Sequence, residues 1–231
     1  MNENWQPFKK FIVNPDKPKA TYTLLIITGA IFVLDQVSAL LLAGRLGPGY
    51  LSLLGMKINT LIRVGQWWRL VGAVFLHADL SHIAFNMLAL YIWGRYVEAL
   101  YGRTRYVTLY LLAGIMGTAA SFALTSARSL GASGAVFGLF GALLYFRKYD
   151  KRLFNFIFGI QVLVFLGISL FSGFAQPLVD NMGHIGGLLG GYLAARVVGL
   201  LSEKDTERKV LLNALIYLGC LAAFMVVGYI R

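Results

Sequence analysis

"GASGAVFG", Gly131 to Gly138, places a serine between residues without side chains at the head of an apolar run, Ala132 to Phe146. In a soluble loop such a serine would say little. Here the run reads as part of a membrane-crossing helix, and the rest of the chain agrees. Of 231 residues, 58% are hydrophobic and only 13% charged, with a mean hydropathy of +0.69. A soluble domain cannot carry that much apolar surface, whereas a bilayer accommodates it. The 26 glycines suit helices that pack backbone against backbone. The single Cys220 excludes an internal disulfide and reads as apolar filler in the last helix.

A membrane helix needs about 20 apolar residues. Seven segments approach this: 21–43, 80–94, 106–127, 132–147, 153–173, 181–200 and 210–230. The second is expected to extend outward through "RLVGAVFLH". The fourth is short enough to start below the membrane surface. The first is too long, and too far into the chain, for a cleaved signal peptide. The expectation is an all-α polytopic membrane protein of seven spans. It divides into an N-terminal segment 1–20, a core 21–200, a linker 201–209 and a seventh helix 210–231.

The net charge of +11 comes from short basic clusters between apolar runs, a pattern that fits membrane topology better than nucleic-acid binding. Lys9, Lys10, Lys17 and Lys19 precede span 1, and Arg95, Arg103 and Arg105 lie between spans 2 and 3. Arg147, Lys148, Lys151 and Arg152 separate spans 4 and 5, and Arg196, Lys204, Arg208 and Lys209 surround the end of span 6. These alternate connections share one side, expected to be the cytoplasm. That puts the N-terminus inside, the C-terminus outside and the protein in the cell membrane. Spans 2, 4 and 6 then run from outside to inside.

On that topology His77, His82 and Asn86 (span 2), Ser133 (span 4) and His184 (span 6) fall at similar depth on the outer side. Polar groups within spans are expensive and mark functional sites by default. Ser133 and His184 are the makings of a nucleophile and its general base. Gly134, Gly138 and Gly141 form a stripe beside Ser133. Gly187 and Gly191 follow His184 on its own helix face. Such stripes let two backbones approach, although the same pattern also serves plain helix packing. His82 and Asn86, four apart on one face, are donor types that stabilise a developing oxyanion. The free N–H groups at the helix start beside Ser133 are another. Asp79 is expected to N-cap the true start of span 2, leaving His77 in the preceding loop.

These segments resemble the rhomboid intramembrane serine protease family. "GASGAVFG" is similar to its GxSG nucleophile motif. "HADLSHIAFN" is similar to its H-x4-H-x3-N pattern, at His77, His82 and Asn86. "HIGGLLGG" is similar to its H-x2-G-x3-G motif, at His184, Gly187 and Gly191. "GQWWRL" resembles its tryptophan-arginine motif at Trp68 and Arg69, and "EALYG" its E-x3-G at Glu98 and Gly102. The five motifs run in register from about Gly65 to Gly191.

The resemblance implies a six-helix catalytic core, here with a seventh helix added. It implies a Ser133–His184 dyad, and an oxyanion site of His82, Asn86 and the Ser133 amide. Gly131 and Gly134 flank the nucleophile, and Phe137 matches an aromatic position that packs on the catalytic imidazole. Glu98 is expected to hold the loop after helix 2. Substrates would be transmembrane segments of other proteins in the lipid bilayer, with no metal, nucleic acid or small-molecule cofactor. Gly183 and Phe137 stand where other members have Ala and Tyr.

Other readings were weighed. A non-proteolytic relative that binds membrane proteins for quality control would be expected to lack the serine or the histidine. A metal transporter through His77, His82 and His184 lacks carboxylates or cysteines at ligand spacing. Trp67, Trp68 and Arg69 fit either an interfacial anchor or a loop-ordering role. Asp35 is expected to face the bundle interior and pair there. Asp180 is expected to cap span 6 rather than orient His184.

Overall fold

The computed structural model describes residues 18–44, 47–176, 179–201 and 207–231. Lys9, Lys10, Lys17 and Lys204, and most of the expected segments 1–20 and 201–209, lie outside them. The described residues are helical and contain no strand. One isolated antiparallel bridge joins Lys57 to Ser129.

Helix α1, Lys19–Ala43, leads through two short helices, α2 (Tyr50–Gly55) and α3 (Asn59–Arg63), to α4 (Arg69–Gly72) and a 3₁₀ turn, Ala73–Phe75. The long helices α5 (Leu80–Tyr101) and α6 (Arg103–Leu124) follow. Next come α7 (Ser133–Tyr149), α8 (Lys151–Ile157), α9 (Gln161–Phe174), α10 (Asn181–Val198) and α11 (Glu207–Ile230). Each of the seven expected segments is helical. By length and apolarity, three helices (α1, α6 and α11) are sufficient to cross a membrane, or five elements if two bent pairs each count as one. Helices α7 and α10 are shorter, with 17 and 18 residues.

Two expectations need correcting. The second span does not continue straight outward through "RLVGAVFLH", because Arg69–Phe75 meets α5 at 90°. The chain turns at Asp79, whose carboxylate accepts from His82 N and starts α5 afresh. The fifth span is also broken, with a 77° bend between α8 and α9. There Gly159 takes a left-handed φ of 54°, which ends α8 at low steric cost.

The centre of the fold is α10, packed between α6 and α7. Its doubled glycines, Gly186–Gly187 and Gly190–Gly191, give it two bare faces. A Cβ on Gly187 would collide with Gly134 O of α7, and one on Gly191 with Gly138 O. On the other face, a Cβ on Gly186 would strike Ala120 and one on Gly190 would strike Met116, both on α6. Helix α11 lies outside, tied to the core by Asn213 Nδ2 to Arg196 O (2.8 Å) and Tyr217 Oη to Leu112 O (2.9 Å). Its far end meets the loop after α1. Arg63 Nε donates to Gly228 O, and Trp67 Nε1 to Tyr229 Oη.

Glu98 also differs from expectation. It is buried and accepts from Ala20 N, Thr21 N and Thr21 Oγ1, at 2.8–3.0 Å. It therefore holds the start of α1, where free N–H groups favour a carboxylate. Only a 3.9 Å contact with Arg103 touches the following loop. Asp35 pairs inside as expected, accepting from Gly49 N, Ser52 N and Ser52 Oγ.

Candidate active site

Ser133 is the first residue of α7, and His184 stands in the first turn of α10. Both helices begin at the same end of the glycine-packed junction. Phe137, one turn after Ser133, stacks on the buried His184 ring, with centroids 4.3 Å apart and planes 14° from parallel. That contact fixes the plane of the imidazole from the serine's own helix. Close approach is possible because Gly134, beside Ser133, and Gly187, beside His184, present only backbone to each other.

His82 arrives from α5. The backbone at Gly131 has φ 138°, open to glycine and strained for other residues. A Cβ there would lie 2.7 Å from His82 Nε2 and 3.7 Å from Ser133 Oγ. The missing side chain is therefore what lets the His82 ring reach the nucleophile's surroundings. His77 lies in the loop before α5, almost fully buried. Its Nε2 accepts from Ala132 N at 3.3 Å, and its ring sits edge-on to His82 at 5.0 Å. It thus steadies the residue immediately before Ser133. Asn86 is also buried, but its Nδ2 donates to His82 O at 2.9 Å, so one amide proton is spent within its own helix.

Arg69 is buried and donates to Leu53 O, Met56 O and Gln66 Oε1. Trp68 Nε1 donates to Leu54 O at 3.0 Å, although the ring is exposed. Both order the loop between α1 and α5 and touch none of the groups around Ser133. Asp180 caps α10 by accepting from Gly183 N at 2.9 Å. A cavity of about 30 Å³ lies behind the nucleophile, lined in part by Thr118, Ser129, Ser133 and Asp180. It is polar and large enough for a water molecule. Among the described residues no group of three His, Cys, Asp or Glu could hold a metal ion.

Residues 64–200 match the family described as the Rhomboid domain. The chain belongs to the rhomboid family. It is 39% identical over 212 residues to Rhomboid protease GluP of Bacillus subtilis, covering 92% of this chain and 41% of that protein. It is 30% identical over 147 residues to Putative rhomboid protease YdcA of the same organism, covering 63% of this chain and 72% of that one. A third relative, Rhomboid-like protease 1 of Toxoplasma gondii, is 35% identical over 165 residues, with 67% and 54% covered. The chain thus spans less than half of GluP and about half of the Toxoplasma protein. Like its relatives' shared domain, this rhomboid chain is a multi-pass, membrane-embedded protein.

Sequence reasoning missed three features of this rhomboid site. The second glycine face of α10, Gly186 and Gly190, was legible in "GGLLGG" as a doubled stripe. His77's grip on Ala132 N depends on a fold-back that spacing does not reveal. Lys57 and Asn59 contact the loop that leads to Ser133, and their only signal was a lysine placed within an apolar stretch.

Proposed function

We propose that this chain is an intramembrane serine endopeptidase that cleaves transmembrane segments of other membrane proteins near the outer face. One observation carries the reading. Ser133 and His184 start two glycine-packed helices at the same end, with Phe137 of one stacked on the imidazole of the other. Ser133 Oγ attacks the scissile carbonyl as the two side chains close to hydrogen-bonding distance. Such bonds commonly tighten only in the substrate complex. His184 takes the hydroxyl proton and delivers it to the leaving amine. Negative charge on the carbonyl oxygen is met by N–H groups at the start of α7, by His82, and by the remaining amide proton of Asn86. Water, activated by His184, then hydrolyses the acyl-enzyme.

The same reading sets the topology: seven crossings, the N-terminus cytoplasmic and the C-terminus extracytoplasmic. The basic connections support it. Seventeen residues of α7 rise only about 25 Å, less than the roughly 30 Å hydrocarbon core, which suits a serine beneath the outer surface. The test is a fluorophosphonate probe combined with cleavage of a transmembrane substrate. The wild-type protein should be labelled at Ser133 and should cleave. Ser133→Ala and His184→Ala should each abolish cleavage while the protein still inserts and folds. A folded wild-type chain that is neither labelled nor proteolytic, yet retains membrane proteins, would be a non-cleaving quality-control relative instead.

A further inference from the structure

Lys57 stands in the loop between α2 and α3, yet its side chain is wholly buried. Its Nζ donates to Thr125 O at 2.9 Å and Ala127 O at 2.8 Å. Asn59, two residues on, donates through Nδ2 to Phe122 O at 3.1 Å and Thr125 O at 3.0 Å. The Lys57 backbone pairs with Ser129 in both directions, at 2.8 and 3.2 Å. All six bonds end on residues 122–129, the exit of α6 and the lead-in to Ser133. That lead-in is irregular backbone, so its carbonyls have no helix to satisfy them. Just beyond it, Gly131 N donates to Ala73 O at 2.8 Å, and Ala132 N to His77.

We infer that Lys57, with Asn59, is a positioning residue for the nucleophile: it fixes the 125–129 segment and thereby the register at which Ser133 meets His82 and His184. Three observations support this beyond the bonds themselves. First, a buried ammonium costs several kcal/mol of desolvation, so packing alone does not account for a lysine here. Second, a cation at the last carbonyls of α6 complements the negative end of that helix. Third, the charge that opposes Lys57's desolvation is Asp180, the cap of the helix that carries His184. Lys57 therefore lies between the two segments whose relation matters. Burial pushes its pKa down to about 8, Asp180 acting against that shift. A neutral amine still has two N–H donors, so both carbonyl bonds outlast deprotonation. The decisive test is accordingly removal of the donors rather than a change of pH.

This inference rests on Ser133 being the nucleophile, and the experiment keeps the two apart. The variants are Lys57→Met, which keeps the stem and loses the donors, and Asn59→Ala, which leaves the ammonium in place. Tyr217→Phe is the control, because it removes a tie between α11 and α6 far from the loop. Each is purified in full, its active sites titrated with the fluorophosphonate probe, and its Tm measured. The expected result is a fall in kcat of about 10-fold to 10²-fold in Lys57→Met, with KM within twofold, since a displacement near 1 Å can cost about 10²-fold. The rate of probe labelling should fall in parallel, and Asn59→Ala should follow with a smaller loss. Should Lys57→Met fail to fold, Asn59→Ala must still show the kcat loss at unchanged KM. Wild-type kcat per titrated site in the folded variants, or a kcat loss no larger than Tyr217→Phe shows at equal Tm loss, would overturn the inference. If the wild-type protein is not labelled at all, the nucleophile reading falls first and takes this one with it.

Discussion

At Gly187 an added Cβ would collide with Gly134 O, whereas at Gly167 it would meet nothing within 4 Å. Both are helical glycines in apolar segments, and local sequence barely separates them. The first belongs to α10, wedged between α6 and α7. The second belongs to α9, the outer half of a span already broken by a 77° bend. Helix α9 exposes Ile168, Phe171 and Phe174 and buries little beyond Val162, Leu166 and Gly173. The contrast teaches where rigidity is invested. The junction that would hold the reacting groups is packed to backbone contact, where a two-state shift costs much. The α8–α9 segment is attached lightly enough for its position to vary at small cost.

The strongest way to break this contrast is to make the same change in both places. Gly187→Ala should separate α7 from α10, because the obstruction is a backbone oxygen with no rotamer to escape into. We expect activity to fall by 10²-fold or more and thermal stability in detergent to drop by several degrees, as overpacking costs about 1–3 kcal/mol. Gly167→Ala should do the opposite. With open space and an ordinary helical backbone, it should gain about 0.5–1 kcal/mol of stability, the usual advantage of alanine over glycine inside a helix. Equal effects of the two substitutions on unfolding would show that the junction is not specially tight.

Asp180→Asn sharpens the picture at the junction itself, with the smallest effect. Its carboxylate is turned to Gly183 N, and asparagine caps a helix about as well as aspartate. Activity should stay within a few-fold of wild type, against the roughly 10⁴ loss when a true triad acid is amidated. A loss approaching that size in a folded variant would make Asp180 a third member of the site.

Apolar runs, basic connections and glycine spacing were enough, unaided, for the all-helical class, the position of seven helices and the caps at Asp79 and Asp180. These are local properties: a run of apolar side chains, or a carboxylate three residues before a free N–H, acts within one or two turns. The motifs in register also pointed to the family and to Ser133, His82 and His184. Tertiary structure alone decided the bends after Phe75 and after Ile157, because a helix breaks where competing contacts outweigh its own continuity. It alone redirected Glu98 from the following loop to the start of α1, since free donors at 20 and 21 have no sequence link to position 98. It alone brought Lys57 to Thr125 and Ala127, 68 and 70 residues away. A backbone carbonyl looks the same in every residue, so sequence cannot announce which carbonyls a buried donor will find. That pairing is settled only when the helices between them have packed.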